Sequence, residues 1–71
     1  MSGDDPFHVE GVIVEVLQPG LFCVELSNGH RLLAYGRRRD RDWLLGLSTG
    51  QRVNLELSAY DLSKGRIRRS E

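Results

Sequence analysis

Apolar and polar residues alternate with period two along most of this chain, and only one long stretch breaks the pattern. Such alternation demands strands with one buried face, because successive side chains of a strand point to opposite sides. Gln51 to Ser58 shows it most cleanly: Val53, Leu55 and Leu57 are expected to face in, and Arg52, Asn54 and Glu56 out. Leu21 to Leu26 places Phe22, Val24 and Leu26 on one side. His8 to Leu17 (HVEGVIVEVL) is dominated by β-branched residues and reads as a further strand. Within it, Gly11 is expected to mark a bulge or bend. Gln18-Pro19-Gly20 supplies a turn, and Asn28-Gly29 is the strongest short hairpin signal in the chain. A third strand, His30 to Tyr35, follows it. A loop over Ala59–Leu62 and a last strand over Ser63–Arg69 complete the set, with Ile67 as apolar anchor and Gly65 as an expected bulge.

The interruption lies at residues 36 to 50, GRRRDRDWLLGLSTG. Trp43, Leu44 and Leu47 stand there at helical spacing, Asp40 and Asp42 suit a helix start, and Gly46 limits its length. One or two turns of helix are predicted between residues 37 and 48. Three strands, a helical interruption and two more strands match the order of the OB-fold, a five-stranded Greek-key barrel. The rival is a small SH3-like barrel, which has no need of about 15 residues between its third and fourth strands. The expected architecture is therefore all-β: an OB-fold with a short helix between strands 3 and 4. It forms a single (S1-like) domain over residues 8–69, behind a flexible tail over residues 1–7.

Seventy-one residues leave no room for two cores. One cysteine, Cys23, offers no internal disulfide and suits a reducing compartment. Charged residues at 28% and hydrophobic ones at 39% form a globular balance rather than a disordered one. No apolar run approaches the ~20 residues of a membrane span, and no signal-peptide pattern opens the chain. A cytoplasmic protein without membrane contact is expected.

The formal net charge of zero conceals an asymmetry: residues 1 to 30 sum to −5 and residues 31 to 71 to +5. Either the two halves interleave in one fold and the charges mix, or a basic face meets nucleic acid. Nine of the ten basic residues are Arg, whose planar fork holds two phosphate oxygens at once. One cluster comprises Arg37, Arg38, Arg39 and Arg41, with Asp40 and Asp42 among them. The other comprises Lys64, Arg66, Arg68 and Arg69. Strand alternation sends Lys64, Arg66 and Arg68 to one face, where mutual repulsion is relieved by something anionic, such as spaced phosphates.

Catalysis finds no support. Cys23, His8 and His30 are the only candidates for nucleophile and base, and none has a partner at a telling spacing. One Cys and two His make no zinc motif, and no glycine-rich phosphate loop is present. No enzyme activity, metal or cofactor is expected. Phe22 reads as core and Trp43 as the helix anchor, whereas Tyr35 and Tyr60 are candidates to stack on a base.

Two blocks then carry a resemblance. Tyr60-Asp61-Leu62-Ser63-Lys64-Gly65-Arg66-Ile67 is similar to the C-terminal signature of the bacterial-type translation initiation factor one family. Phe22-x-Val24-Glu25-Leu26-x-Asn28-Gly29-His30 is similar to its second strand and hairpin. Gly11-Val12, Glu15, Leu17, Ala34 and Thr49-Gly50-x-x-Val53 fall in register without gaps. The resemblance spans residues 10 to 67. It departs where Tyr35 replaces the family's His, where Asp40 and Asp42 enter its basic stretch, and where Gly46 replaces an Arg.

The resemblance implies a monomeric, cytoplasmic OB-fold protein that binds the small ribosomal subunit at the aminoacyl-tRNA site. There it would contact ribosomal RNA and a ribosomal protein, beside initiation factors two and three. By position, Arg39 and Arg41 correspond to the family's RNA-contacting residues after the third strand, Lys64 and Arg66 to those of the last strand, and His30 to the hairpin His, so the resemblance implies RNA binding by all five. The alternatives are a general single-stranded RNA- or DNA-binding OB-fold protein or RNA chaperone, and a protein-interaction barrel that binds no RNA.

Overall fold

A computed structural model describes residues 7–58 and 60–68. Five strands run in chain order: β1 (Phe7–Gln18), β2 (Leu21–Leu26), β3 (Arg31–Tyr35), β4 (Arg52–Ser58) and β5 (Asp61–Arg68). Between β3 and β4 lie a 3-10 turn, Arg38–Asp40, and a single short helix, α1 (Arg41–Leu45). The strands close into a barrel in the order β1-β2-β3-β5-β4, the connectivity of an OB-fold. β3 and β5 pair in parallel and the other neighbours antiparallel.

The expected alternation holds in β2, β4 and β5, and β3 alternates likewise. Phe22 and Val24, Leu32 and Ala34, then Val53, Leu55 and Leu57, and Ile67 all point into one core. Leu44 of α1 closes that core, with Trp43 and Leu47 packed against it. On β1 the inward residues are Val9, Gly11 and Ile13, so Val12 and Val14 lie on the outer side.

β1 must bend, because it pairs with β4 through Phe7–Val12 and with β2 through Gly11–Gln18. Its bulges fall between Ile13 and Glu15 and between Val16 and Gln18, not at Gly11. At the first bulge the connection before β4 takes up the backbone of Ile13: its N–H donates to Gln51 O at 3.0 Å, and its C=O accepts from Gly50 N at 2.8 Å.

Gly11 instead marks a close approach of strands. A Cβ there would overlap Val24 Cγ1 and lie 3.1 Å from the carbonyl oxygen of Glu25. Neither can retreat, since Val24 is fully buried and Glu25 sits in the β-ladder. Gly11→Ala is therefore expected to destabilise the barrel by ~1–3 kcal/mol, the usual range for overpacking. A thermal melt followed by circular dichroism should show a fall of roughly 4–8 °C per kcal/mol in a domain of this size. An unchanged midpoint would show that β1 and β2 can separate here without cost.

The β2–β3 hairpin closes through Ser27, Asn28 and Gly29. Gly29 N donates to Leu26 O at 2.9 Å, and Leu26 N donates to His30 O at 2.8 Å. Gly29 has φ +88°, and among the described residues only glycines adopt positive φ. This is the three-residue hairpin with a left-handed glycine rather than a two-residue turn.

Gly65, the other expected bulge, is buried in regular pairing opposite Ala34 and Leu57. The irregularity lies just before it, where Ser58 pairs with Asp61 and Leu57 with Gly65. Asp61 and Leu62, expected in a loop, already belong to β5. Phe7, expected in the tail, begins β1. The remainder of the tail, Ala59 and Arg69 lie outside the described residues.

Candidate nucleic-acid interface

Outer positions of β5 carry Lys64, Arg66 and Arg68, because Gly65 and Ile67 take the inner ones. The parallel register sets Lys64 beside Leu33 and Arg66 beside Tyr35. The same face of β4 presents Glu56 to Arg66, and that of β1 presents His8 to Glu56. One row of side chains therefore crosses four strands: Tyr35, Arg66, Glu56, His8.

The segment after β3 folds against this row. Arg37 has extended backbone, the 3-10 turn follows it, and Asp40 N donates to Arg37 O at 3.0 Å. As a result Arg37 and Arg39 face Arg66 and Arg68 across a cleft of about 300 Å³, with Asp40 and Glu56 also in its walls. Four guanidiniums against two carboxylates leave the cleft at +2. Two members of each basic cluster of the sequence thus share one site.

Two neighbouring hollows extend the cleft. On one side Tyr35, Asp61, Lys64 and Arg66 line a hollow of about 310 Å³. On the other, Arg37, Arg38 and Arg41 rim a hollow floored by Pro19, Leu44 and Leu45. Lys64, Arg66, Arg39 and Arg41 consequently lie along one basic band. Tyr35 is 41% exposed beside Arg66, which leaves its ring open to stacking.

His30 lies outside these hollows. Its Nε2 is 3.0 Å from the carbonyl oxygen of Leu62, which can only accept, so Nε2 carries the hydrogen. The imidazole ties the β2–β3 hairpin to β5 two residues before Lys64. A second local device acts there: Asp61 Oδ1 accepts from Ser63 N at 3.0 Å and from Ser63 Oγ. These bonds hold the Asp61 carboxyl below its ordinary pKa, with the Lys64 charge adding to the effect.

The sequence reading does not single out His8, Glu56, Arg37 or Arg68 as site residues. Arg37 stands in a charge cluster where nothing in its spacing sets it apart, and Arg68, which alternation puts on the face of Lys64 and Arg66, has no counterpart among the contacts the resemblance implies. Glu56 reads as an outer-face residue, and only the β4–β5 register shows what it meets. Glu56 Oε1 lies 3.8 Å from Arg66 Nη1. Among the described residues no group of three or more His, Cys, Asp or Glu could hold a metal ion. Among them, too, no helix is long and apolar enough to cross a membrane.

The chain is similar to the solution structure of translation initiation factor one from the Wolbachia endosymbiont strain TRS of Brugia malayi. The two are 33% identical with a TM-score of 0.72, and the match covers 99% of this chain and 84% of the other. No protein-family model matches the chain.

Proposed function

Since this chain belongs to the translation initiation factor one family, we propose that it binds the small ribosomal subunit at the aminoacyl-tRNA site through the basic band. It is a non-enzymatic translation initiation factor. In the proposed complex it acts by occupancy, as a monomer in the cytoplasm, against ribosomal RNA and a ribosomal protein and beside initiation factors two and three. Arginines and Lys64 engage phosphates and set the orientation of the barrel. Tyr35 and the neighbouring polar side chains meet bases or hydroxyls of folded RNA. His30 holds the start of β5 in place for Lys64.

The observation that carries this reading is the convergence of Arg37 and Arg39 with Arg66 and Arg68 on one cleft. Phosphates are the ligand for such a cluster, because each guanidinium offers two parallel donors to two oxygens. Co-sedimentation with small ribosomal subunits, repeated with a single-stranded oligonucleotide competitor, tests it. Binding that survives the competitor supports the ribosomal site. Equal binding to both partners would instead favour a general single-strand binder, and binding that salt barely changes would favour a protein-interaction barrel.

Asp40 and Asp42, which enter the family's basic stretch, are separated by the fold. Asp40 lines the cleft, whereas Asp42 is exposed in the first turn of α1 and lines none of the basic hollows. One carboxylate repels a phosphate about 16 Å away by roughly 1 kcal/mol at an effective dielectric of about 20. Asp40→Lys with Asp42→Lys is therefore expected to tighten small-subunit binding by at least about fivefold. Most of the gain should persist in the Asp40→Lys single variant. Weaker binding of the double variant would show that Asp40 orders the neighbouring arginines rather than opposing RNA.

A further inference from the structure

One nitrogen in the molecule has two neighbours that require opposite protonation states of it. Arg68 Nη1 lies 3.0 Å from His8 Nε2. A guanidinium can only donate, so in this arrangement Nε2 accepts, and His8 is neutral with its hydrogen on Nδ1. Glu56 Oε2 lies 3.8 Å from that same Nε2. A carboxylate can only accept, so it gains a partner in His8 only when Nε2 carries a hydrogen, and the imidazolium adds to that hydrogen the positive charge that draws a carboxylate. The other carboxylate oxygen of Glu56 is 3.8 Å from Arg66 Nη1. Glu56 thus stands between His8 and Arg66, and His8 between Glu56 and Arg68.

We propose that His8 is a proton-operated latch on the anion-binding cleft: neutral, it holds Arg68 and leaves Glu56 to Arg66; protonated, it takes Glu56 and frees both arginines for phosphate. The inference rests on the reading of the basic band as the RNA face. Among the described residues, the charged groups facing His8 are Glu56 from β4, Arg66 and Arg68 from β5, and Glu10 two residues along β1. Protonation therefore pairs one of the two carboxylates that line the cleft and removes the acceptor that retains Arg68. The side chain of His8 is 53% exposed, so a proton reaches it without any opening of the fold. The sign follows from linkage: if protonated His8 favours anion binding, anion binding must draw a proton onto His8.

Three measurements on the full chain decide it. Affinity for small ribosomal subunits is compared at about pH 7.5 and about pH 6, at one salt concentration. The natural chain should bind about fivefold more tightly at the lower pH, the low end of coupling between sites. His8→Asn should lose that difference, while His30→Asn should keep it. Inorganic tripolyphosphate, which itself gains a proton over this range, should gain affinity at the lower pH in the natural chain relative to His8→Asn, without any ribosome. In nitrogen-15 spectra of the free protein, the Nε–Hε resonances of Arg66 and Arg68 should move with the midpoint of His8.

Arginine resonances that ignore His8, or a pH dependence that survives in His8→Asn, would overturn the latch. Tripolyphosphate affinity with the same pH dependence in the natural chain and in His8→Asn would overturn it too. Failure to bind subunits while tripolyphosphate follows His8 would count against the ribosomal reading and uphold the latch.

Discussion

Replacing Lys64 and Arg66 together by alanine should weaken small-subunit binding by at least ~100-fold. Each charge-assisted contact to phosphate contributes roughly 1.5–3 kcal/mol, and 1.4 kcal/mol is a factor of ten. Both side chains stand on the outer face of β5 and line one hollow with Tyr35. The plot of log affinity against log salt should also flatten by about 1.4–1.8 units, the value for two lost phosphate contacts between single-strand and duplex limits. Folding should be preserved, because both positions point out of the barrel, and circular dichroism with a thermal melt checks this. Arg52→Ala is the matched control: Arg52 lies away from the band, in a hollow with Glu10 and Glu25, and its loss should change affinity little. A fall in affinity with an unchanged salt slope would mean that Lys64 and Arg66 touch protein rather than phosphate. No change in either would remove β5 from the interface.

Phe22→Ala should bring the barrel close to unfolding. Phe22 is 1% exposed and stands among the largest fully buried side chains. Truncating a buried Phe costs ~3–5 kcal/mol, from lost transfer energy and the cavity left behind. The whole stability expected of 71 residues is only roughly 4–11 kcal/mol. The melting midpoint should fall by at least ~12 °C, and RNA binding should disappear with the fold. Leu62→Ala, at a side chain in a residue 49% exposed, should stay within about ±0.5 kcal/mol. A Phe22→Ala midpoint within a few degrees of the natural chain would show that the core collapses around the gap.

The two substitutions probe different layers of legibility. The Phe22 prediction follows from the sequence, because alternation alone assigns Phe22, Val24, Val53, Leu55 and Leu57 to one buried side. The Lys64 and Arg66 prediction needs alternation and the resemblance of the last block to the initiation factor family. Gly11 departs from its expected role for a physical reason. A missing side chain in a strand is consistent with a bulge or with a close approach, and only the position of Val24 across the ladder separates them. The bulges themselves fall at Val14 and Leu17, where no residue type announces them.

Local physics written in the chain determined the strands, their turns, the single helical interruption and the inward faces of β2, β4 and β5. Those features depend on neighbours within a few residues: a period of two, a glycine in a turn, three apolar residues at helical spacing. What meets across the barrel depends on registers between segments far apart in the chain. The tertiary structure alone brought Arg37 and Arg39 opposite Arg66 and Arg68. It alone set Glu56 between Arg66 and His8, and tied His30 to the backbone of β5. The physical reason is that Coulomb and hydrogen-bond partners are chosen by distance in space, whereas alternation and turn chemistry report only distance along the chain.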